Sequence, residues 1–212
     1  MRSSRLGRTK PRKGAPLTPL TKLVFDKFIS QGLSALTECN MPDVAGAHPS
    51  CQHWITDFIL ALAFVAELSD KNRAEYFAIL RKAEIAYFEW NNAASALRQY
   101  LDPPKKVSRY FESLHHMEAC ISALSQAFNY IAAHTNARLY EADDGSPLQR
   151  LATIYNVSKH LELESFGADQ IQAVWLNNEG VQVSRASLSY DEIAKLMDEL
   201  GSHAERICKG KI

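Results

Sequence analysis

A run of polar side chains between residues 147 and 165 has the residue types that acid–base chemistry needs. Asn156 and His160 lie four residues apart, with Lys159 beside them. Residues at this spacing share one face of an α-helix. A histidine has an ordinary pKa near about 6.5 and can take or give a proton at neutral pH. The run therefore predicts a polar stripe that could act on an anion, although the same stripe is also typical of an ordinary solvent-facing helix.

Two other groups of residues could hold a metal ion, and both are weaker candidates. Glu112 and His115 form one Glu-x-x-His step, but the di-metal bundles that use this step need two. A polar helix face explains the single step better. If the stripe packs nearby, His116 or Glu118 could support His160 from this helix.

The second metal candidate lies in the loop before residue 54. Cys39, His48, Cys51 and His53 have side chains that zinc accepts, but their spacing matches no zinc module. We therefore expect no metal and no cofactor. The four cysteines are widely separated and form no CxxC pair, which is typical of a reducing cytoplasm.

The helical period that must position these residues dominates the chain. It predicts helices over residues 21–36, 53–68, 70–101, 107–133 and 147–165, with a loop over residues 38–50. The two longest are separated only by a short turn that contains Pro103 and Pro104, so they must lie antiparallel. The sequence therefore predicts an all-α fold, an antiparallel helical bundle built on a long helical hairpin.

A small β-hairpin and a final helix are expected after the bundle. Residues 173–176 and 181–183 have strand composition and flank a turn at residues 177–180. Ser189 and Glu192 have the spacing of a capping box, which predicts a helix starting there. We expect residues 19–168 to form the bundle and residues 169–212 to pack on it as the β-hairpin and C-terminal helix.

Charge is balanced over the whole chain but not along it. The 24 basic residues equal the 24 acidic ones, yet residues 1–18 are acid-free. We expect this stretch to be a flexible basic tail that could touch nucleic-acid phosphates. Its basic residues are Arg2, Arg5, Arg8, Lys10, Arg12 and Lys13. Five of them, Arg5, Arg8, Lys10, Arg12 and Lys13, are the candidate nucleic-acid contacts.

The most apolar stretch, residues 58–66, is too short to cross a bilayer, which takes about 20 residues. We expect it to be a buried helix. The sequence therefore predicts no membrane partner and a cytoplasmic location.

The bundle layout, together with Tyr155, Asn156, Lys159 and His160, resembles the HEPN superfamily of helical domains in RNA-cleaving toxins and host-defence proteins. The resemblance implies RNA association, metal-independent cleavage and a homodimer with paired motifs. Tyr155 stands where that family has an arginine, so a fixed positive charge for the phosphate is missing. Lys159 or Arg150 would have to replace it. The same run is also similar to bacterial proteins of unassigned function.

Two functional hypotheses follow from the sequence. The first is a HEPN-like domain associated with RNA, either a weak or an inactive ribonuclease, in which Tyr155, Asn156, Lys159 and His160 are the site. The second is a non-catalytic helical module for self-association or for a protein partner.

Overall fold

The computed structural model describes residues 19–64, 68–160 and 171–210. Within them lie six α-helices: α1 (Pro19–Phe28), α2 (Trp54–Phe64), α3 (Asp70–Leu101), α4 (Val107–Thr135), α5 (Pro147–His160) and α6 (Tyr190–Cys208). A short 3-10 helix spans Leu33–Ala35, and three strands follow α5: β1 (Val174–Leu176), β2 (Gly180–Val183) and β3 (Ser187–Ser189). The predicted helical fold is confirmed. None of the described helices combines the length and hydrophobicity needed to cross a membrane.

The predicted helical hairpin, α3 and α4, is the main packing unit of the molecule. Ser69 caps α3 by accepting a hydrogen bond from the Asn72 amide at 3.2 Å. Both helices bury an apolar face, and they pack against each other more extensively than any other pair of described elements. Two carboxylate–histidine pairs also join them, Glu75 with His134 at 2.7 Å and Glu89 with His116 at 2.5 Å.

The β-hairpin is also confirmed, and a third strand extends it. The strands pair antiparallel in the order β1–β2–β3, with Val174 opposite Val183 and Val181 opposite Leu188. Gly180 is required here, because a Cβ at this position would lie 2.1 Å from the Leu188 carbonyl oxygen. Strand β3 was not predicted, because it has three residues and only one of them is apolar.

Helix α6 starts at the predicted capping box, in which Ser189 and Glu192 exchange hydrogen bonds. It packs against α2, α3 and α4 and so closes one side of the bundle. Its buried face is mostly apolar and includes Ile193, Leu196, Met197, Leu200, Ala204 and Ile207, together with the polar His203.

A buried histidine in the loop before α2 is bonded to α6. His48 is only 5% exposed, and its Nδ1 and Nε2 lie 2.9 Å from Glu205 and 3.0 Å from Asp198. The ring therefore lies between two carboxylates of α6, each within hydrogen-bond distance of one ring nitrogen. Gly201 allows the close approach, since a Cβ there would lie 2.5 Å from the Tyr87 hydroxyl oxygen and 2.6 Å from the His48 ring.

Two expectations about the first helices were wrong. The helix predicted over residues 21–36 ends at Phe28, and Gly32, in a left-handed conformation (φ 71°), precedes a separate 3-10 helix. The stretch from residue 58 is also not buried throughout. Phe58 is buried, but Ile59 and Leu60 on the outer side of α2 are about half exposed.

Candidate functional site

Helix α5 is anchored by its inward side chains. The hydroxyl oxygen of Ser146 accepts a hydrogen bond from the Gln149 amide at 3.2 Å, and Pro147 occupies the first helical position, as predicted. Leu151 and Ile154 are fully buried against the core. Because these contacts fix the rotation of the helix, they also fix which side chains face outward.

The outward face of α5 carries the polar stripe that the sequence predicts. Asn156, Lys159 and His160 are all exposed. Tyr155 is half-buried, and the Lys159 ammonium lies 5.8 Å from the centre of its ring. His160 is the last described residue of α5, and residues 161–170 lie outside the described ranges. The three stripe residues are therefore accessible to a ligand from solvent.

Arg150 is bound elsewhere and is not a free cation. Its guanidinium donates to both carboxylate oxygens of Glu192, at 2.6 and 3.1 Å, and to the Ser187 carbonyl oxygen at 2.8 Å. It also donates to the Gly145 carbonyl oxygen at 3.1 Å. The hydrogen bonds from Arg150 to the Glu192 carboxylate are the main reason that the pKa of Glu192 is lowered to about 2. Arg150 therefore joins α5 to β3 and α6, and Lys159 is left as the exposed cation of the stripe.

Glu118, one of the two predicted supporting residues, contacts helix α5 through Ser158. The Ser158 hydroxyl donates to Glu118 Oε1 at 3.1 Å, which bonds α5 to α4. Burial raises the pKa of the Glu118 carboxyl, and the Ser158 hydrogen bond only partly offsets this. Ser158 was not among the predicted site residues. The sequence does indicate a role for Ser158, because its hydroxyl lies among the apolar side chains on the inward face of α5. A polar group in such a position needs a hydrogen-bond partner.

His116, the other proposed supporting residue, is paired across the hairpin instead. Its Nδ1 lies 2.5 Å from Glu89 Oε2 on α3. Glu112, from the Glu-x-x-His step, forms an ion pair with Arg109 one turn earlier. In the part of the chain that the structure describes, no three His, Cys, Asp or Glu side chains are grouped so that they could hold a metal ion.

The remaining predicted contacts cannot be placed beside the stripe. Arg5, Arg8, Lys10, Arg12 and Lys13 lie outside the described residues.

A groove of about 540 Å³ runs along α6, and none of the predicted site residues forms its walls. The residues that line it include Phe128, Ile131 and His203.

Comparisons of the chain with protein-family models, with curated proteins and with solved structures found no match. The HEPN-like role expected of Tyr155, Asn156, Lys159 and His160 therefore stays a prediction from the sequence.

Proposed function

We propose that this chain is an RNA-associated domain of HEPN-like type that cleaves single-stranded RNA slowly and without a metal ion. The observation that carries this proposal is the exposure of Asn156, Lys159 and His160 together on α5, while the inward residues of the same helix hold it in place. A rigid helix that presents an imidazole, a carboxamide and an ammonium to solvent suits a phosphodiester of an extended strand.

The proposed reaction is an internal transfer at one phosphodiester. His160 takes the proton of a ribose 2′-hydroxyl, and that oxygen attacks the neighbouring phosphorus. The bond from phosphorus to the 5′-oxygen breaks, and this oxygen receives a proton from solvent or from a second histidine. The products are a 2′,3′-cyclic phosphate and a 5′-hydroxyl. Lys159 and the Asn156 amide attract the phosphate oxygens as negative charge develops on them.

Slow cleavage is expected from the charges around the stripe. Tyr155 supplies no positive charge where the HEPN superfamily has an arginine, and Arg150 is already neutralised by Glu192. Loss of one such donor costs on the order of a hundredfold in rate. The exposed position of the stripe weakens its electrostatics further, because water screens charges at a surface.

Cleavage of a labelled single-stranded RNA in excess EDTA tests this proposal. We expect slow cleavage with cyclic-phosphate ends that falls about a hundredfold or more in the His160→Ala variant. The matched control is His53→Ala, which removes another exposed histidine far from α5 in sequence. Absence of cleavage at every pH from 5 to 8, or equal loss in both variants, would refute the proposed activity.

The proposal includes a homodimer, in which the second stripe supplies the second histidine. Light scattering coupled to size exclusion measures the oligomeric state directly, and a monomer that still cleaves RNA would contradict the proposed dimer.

A second candidate function, a non-catalytic interaction module, is favoured by a different observation. Leu23, Val24 and Phe28 of α1 are 57%, 40% and 68% exposed, which is unusual for large apolar side chains on one short helix.

A further inference from the structure

The groove along α6 has an apolar side and a charged side. Phe128 and Ile131 of α4 form the apolar side. The α6 side carries charged residues, with Glu199 near one end of the groove and Arg206 near the other. At about 540 Å³ the groove has the size of a small-molecule site, and such sites combine apolar walls with a few charged groups.

Three charged residues of the groove are already paired within the protein. Asp198 and Glu205 lie 3.0 and 2.9 Å from the two ring nitrogens of His48. The Lys209 ammonium lies 3.0 Å from Glu205, one helical turn earlier. These contacts occupy Asp198, Glu205 and Lys209, so a ligand would gain less from them.

Glu199 and Arg206 are the charges that remain. Both are exposed, and within residues 19–64, 68–160 and 171–210 neither forms an ion pair. Their spacing of seven residues places them on one face of α6, about 10 Å apart along the helix axis. The groove therefore presents a carboxylate and a guanidinium to solvent, one towards each end.

A buried histidine holds Arg206 in place. Nη2 of Arg206 lies 3.0 Å from Nδ1 of His203, a residue that is only 9% exposed. A guanidinium only donates hydrogen bonds, so Nδ1 accepts this one. Burial is the main reason that the pKa of His203 is lowered, and the ring is therefore neutral at pH 7. Because the guanidinium is positioned in advance, less side-chain entropy is lost when a ligand binds.

We propose that this groove binds a short peptide of about three residues with free ends, its amino group at Glu199 and its carboxylate at Arg206. An extended chain spans about 3.5 Å per residue, so three residues match the distance between the two charges. Side chains alternate along an extended chain, so the central one can face Phe128 and Ile131 while its neighbours face solvent. An apolar central residue therefore suits the site.

Two other occupants fit the groove less well. RNA phosphates would be attracted by Arg206 but repelled by Glu199 and Asp198. A second copy of the chain would present the same concave surface, and two concave surfaces leave a gap where an interface needs close packing. The peptide proposal does not depend on RNA cleavage by α5.

The experiment is isothermal titration calorimetry of the full chain, at about 50 mM salt, with three forms of the peptide Ala-Leu-Ala. One form has free ends, one is N-acetylated and one is C-amidated. The variants are Glu199→Gln and Arg206→Gln, and thermal unfolding checks that each stays folded. The matched controls are Glu179→Gln and Arg81→Gln, which remove exposed charges that do not line the groove.

We expect the free peptide to bind the parent chain with a Kd of about 1 mM or below. Blocking either end should weaken binding about fivefold, the effect of losing one exposed ion pair. Glu199→Gln should weaken the free peptide equally but leave the acetylated form unaffected, because that ion pair is already absent. Arg206→Gln should have the same relation to the amidated form.

The blocked peptides test both charges on the parent chain, so the proposal stays open to refutation if a variant unfolds. It is overturned if the free peptide does not bind at about 10 mM, or if blocking its ends makes no difference. It is equally overturned if the control variants lose binding as much as the groove variants do. A change from dimer to monomer in the groove variants, without peptide binding by the parent, would also overturn it.

Discussion

Two histidines of this protein show how differently the same side chain is used. His48 is buried between Asp198 and Glu205, under the backbone of Gly201. His160 is exposed on α5 beside Asn156. Both ring nitrogens of His48 lie within hydrogen-bond distance of a carboxylate, so neither is free to meet a ligand.

The difference separates residues that stabilise the fold from residues free to meet a ligand. A histidine that is packed between two elements and has two carboxylate partners contributes to stability. It has no ring nitrogen left for a substrate. An exposed histidine contributes little to stability, and its imidazole can exchange a proton with whatever binds. Substitutions in the two regions should therefore separate stability from activity.

The largest effect is expected for Gly201→Ala. The new Cβ would lie within 2.7 Å of the Tyr87 hydroxyl and of the His48 ring, both of which are buried. We expect a loss of about 3 kcal/mol in the free energy of unfolding, which is about 6–12 °C in Tm for a chain of this size. Ser202→Ala, at the next and exposed position, should change stability by no more than about 0.5 kcal/mol. If the two variants lowered Tm equally in thermal unfolding, the region around His48 and Gly201 would not be tightly packed.

An intermediate effect is expected at the ion pair that fixes the start of α5. The Arg150 hydrogen bonds lower the pKa of Glu192 to about 2, below its ordinary value of 4.5. The ionised form therefore stabilises the folded chain above about pH 4.5, and this stabilisation is lost as the pH falls from there towards 2.

Glu192→Gln should accordingly cost about 1–2 kcal/mol at pH 7, a figure reduced for the partial exposure of the pair. The difference between variant and parent should shrink in urea titrations as the pH falls below 4.5. A difference independent of pH would mean that the ion pair is not its cause.

A smaller effect of opposite sign is expected for Glu118→Gln. Burial raises the pKa of the Glu118 carboxyl, so ionising it disfavours the folded state. The variant keeps an oxygen for the Ser158 hydroxyl and removes this cost, so we expect a gain of less than about 1 kcal/mol at pH 7. The gain should vanish as the pH falls below 4.5 and the parent carboxyl becomes protonated. A loss of stability at neutral pH would contradict this.

The smallest effect on stability is expected in the stripe itself. Asn156→Ala and His160→Ala remove exposed side chains, so each should change the free energy of unfolding by no more than about 0.5 kcal/mol. Chemical denaturation measures this alongside the cleavage assay. A large loss of stability in either variant would mean that the stripe is structural, as the region around His48 is.

The local patterns of the sequence predicted the helical elements well. The α3–α4 hairpin follows from apolar periodicity and a turn with two prolines, and the start of α6 follows from Ser189 and Glu192. The stripe on α5 was likewise visible, because Asn156 and His160 are only four residues apart. In each case the deciding interactions lie within one or two helical turns, or between helices joined directly.

Contacts between distant segments could not be predicted in this way. His48 lies about 150 residues from Asp198 and Glu205 in sequence, so no spacing indicates that they meet. Arg150 could be placed on α5, but its bond to Glu192 depends on how α6 returns to the bundle. The exposed face of α1 was missed for the same reason, since periodicity identifies an apolar face but not whether a partner covers it.

The most direct test of the account is an NMR titration of the 15N-labelled chain with a short single-stranded RNA that carries 2′-O-methyl groups and cannot be cleaved. We expect the largest shift changes at Asn156, Lys159 and His160, with His48 and its partners unchanged. Shift changes absent from α5 while other surfaces respond, or no response anywhere at millimolar RNA, would contradict the claim that the α5 stripe binds RNA.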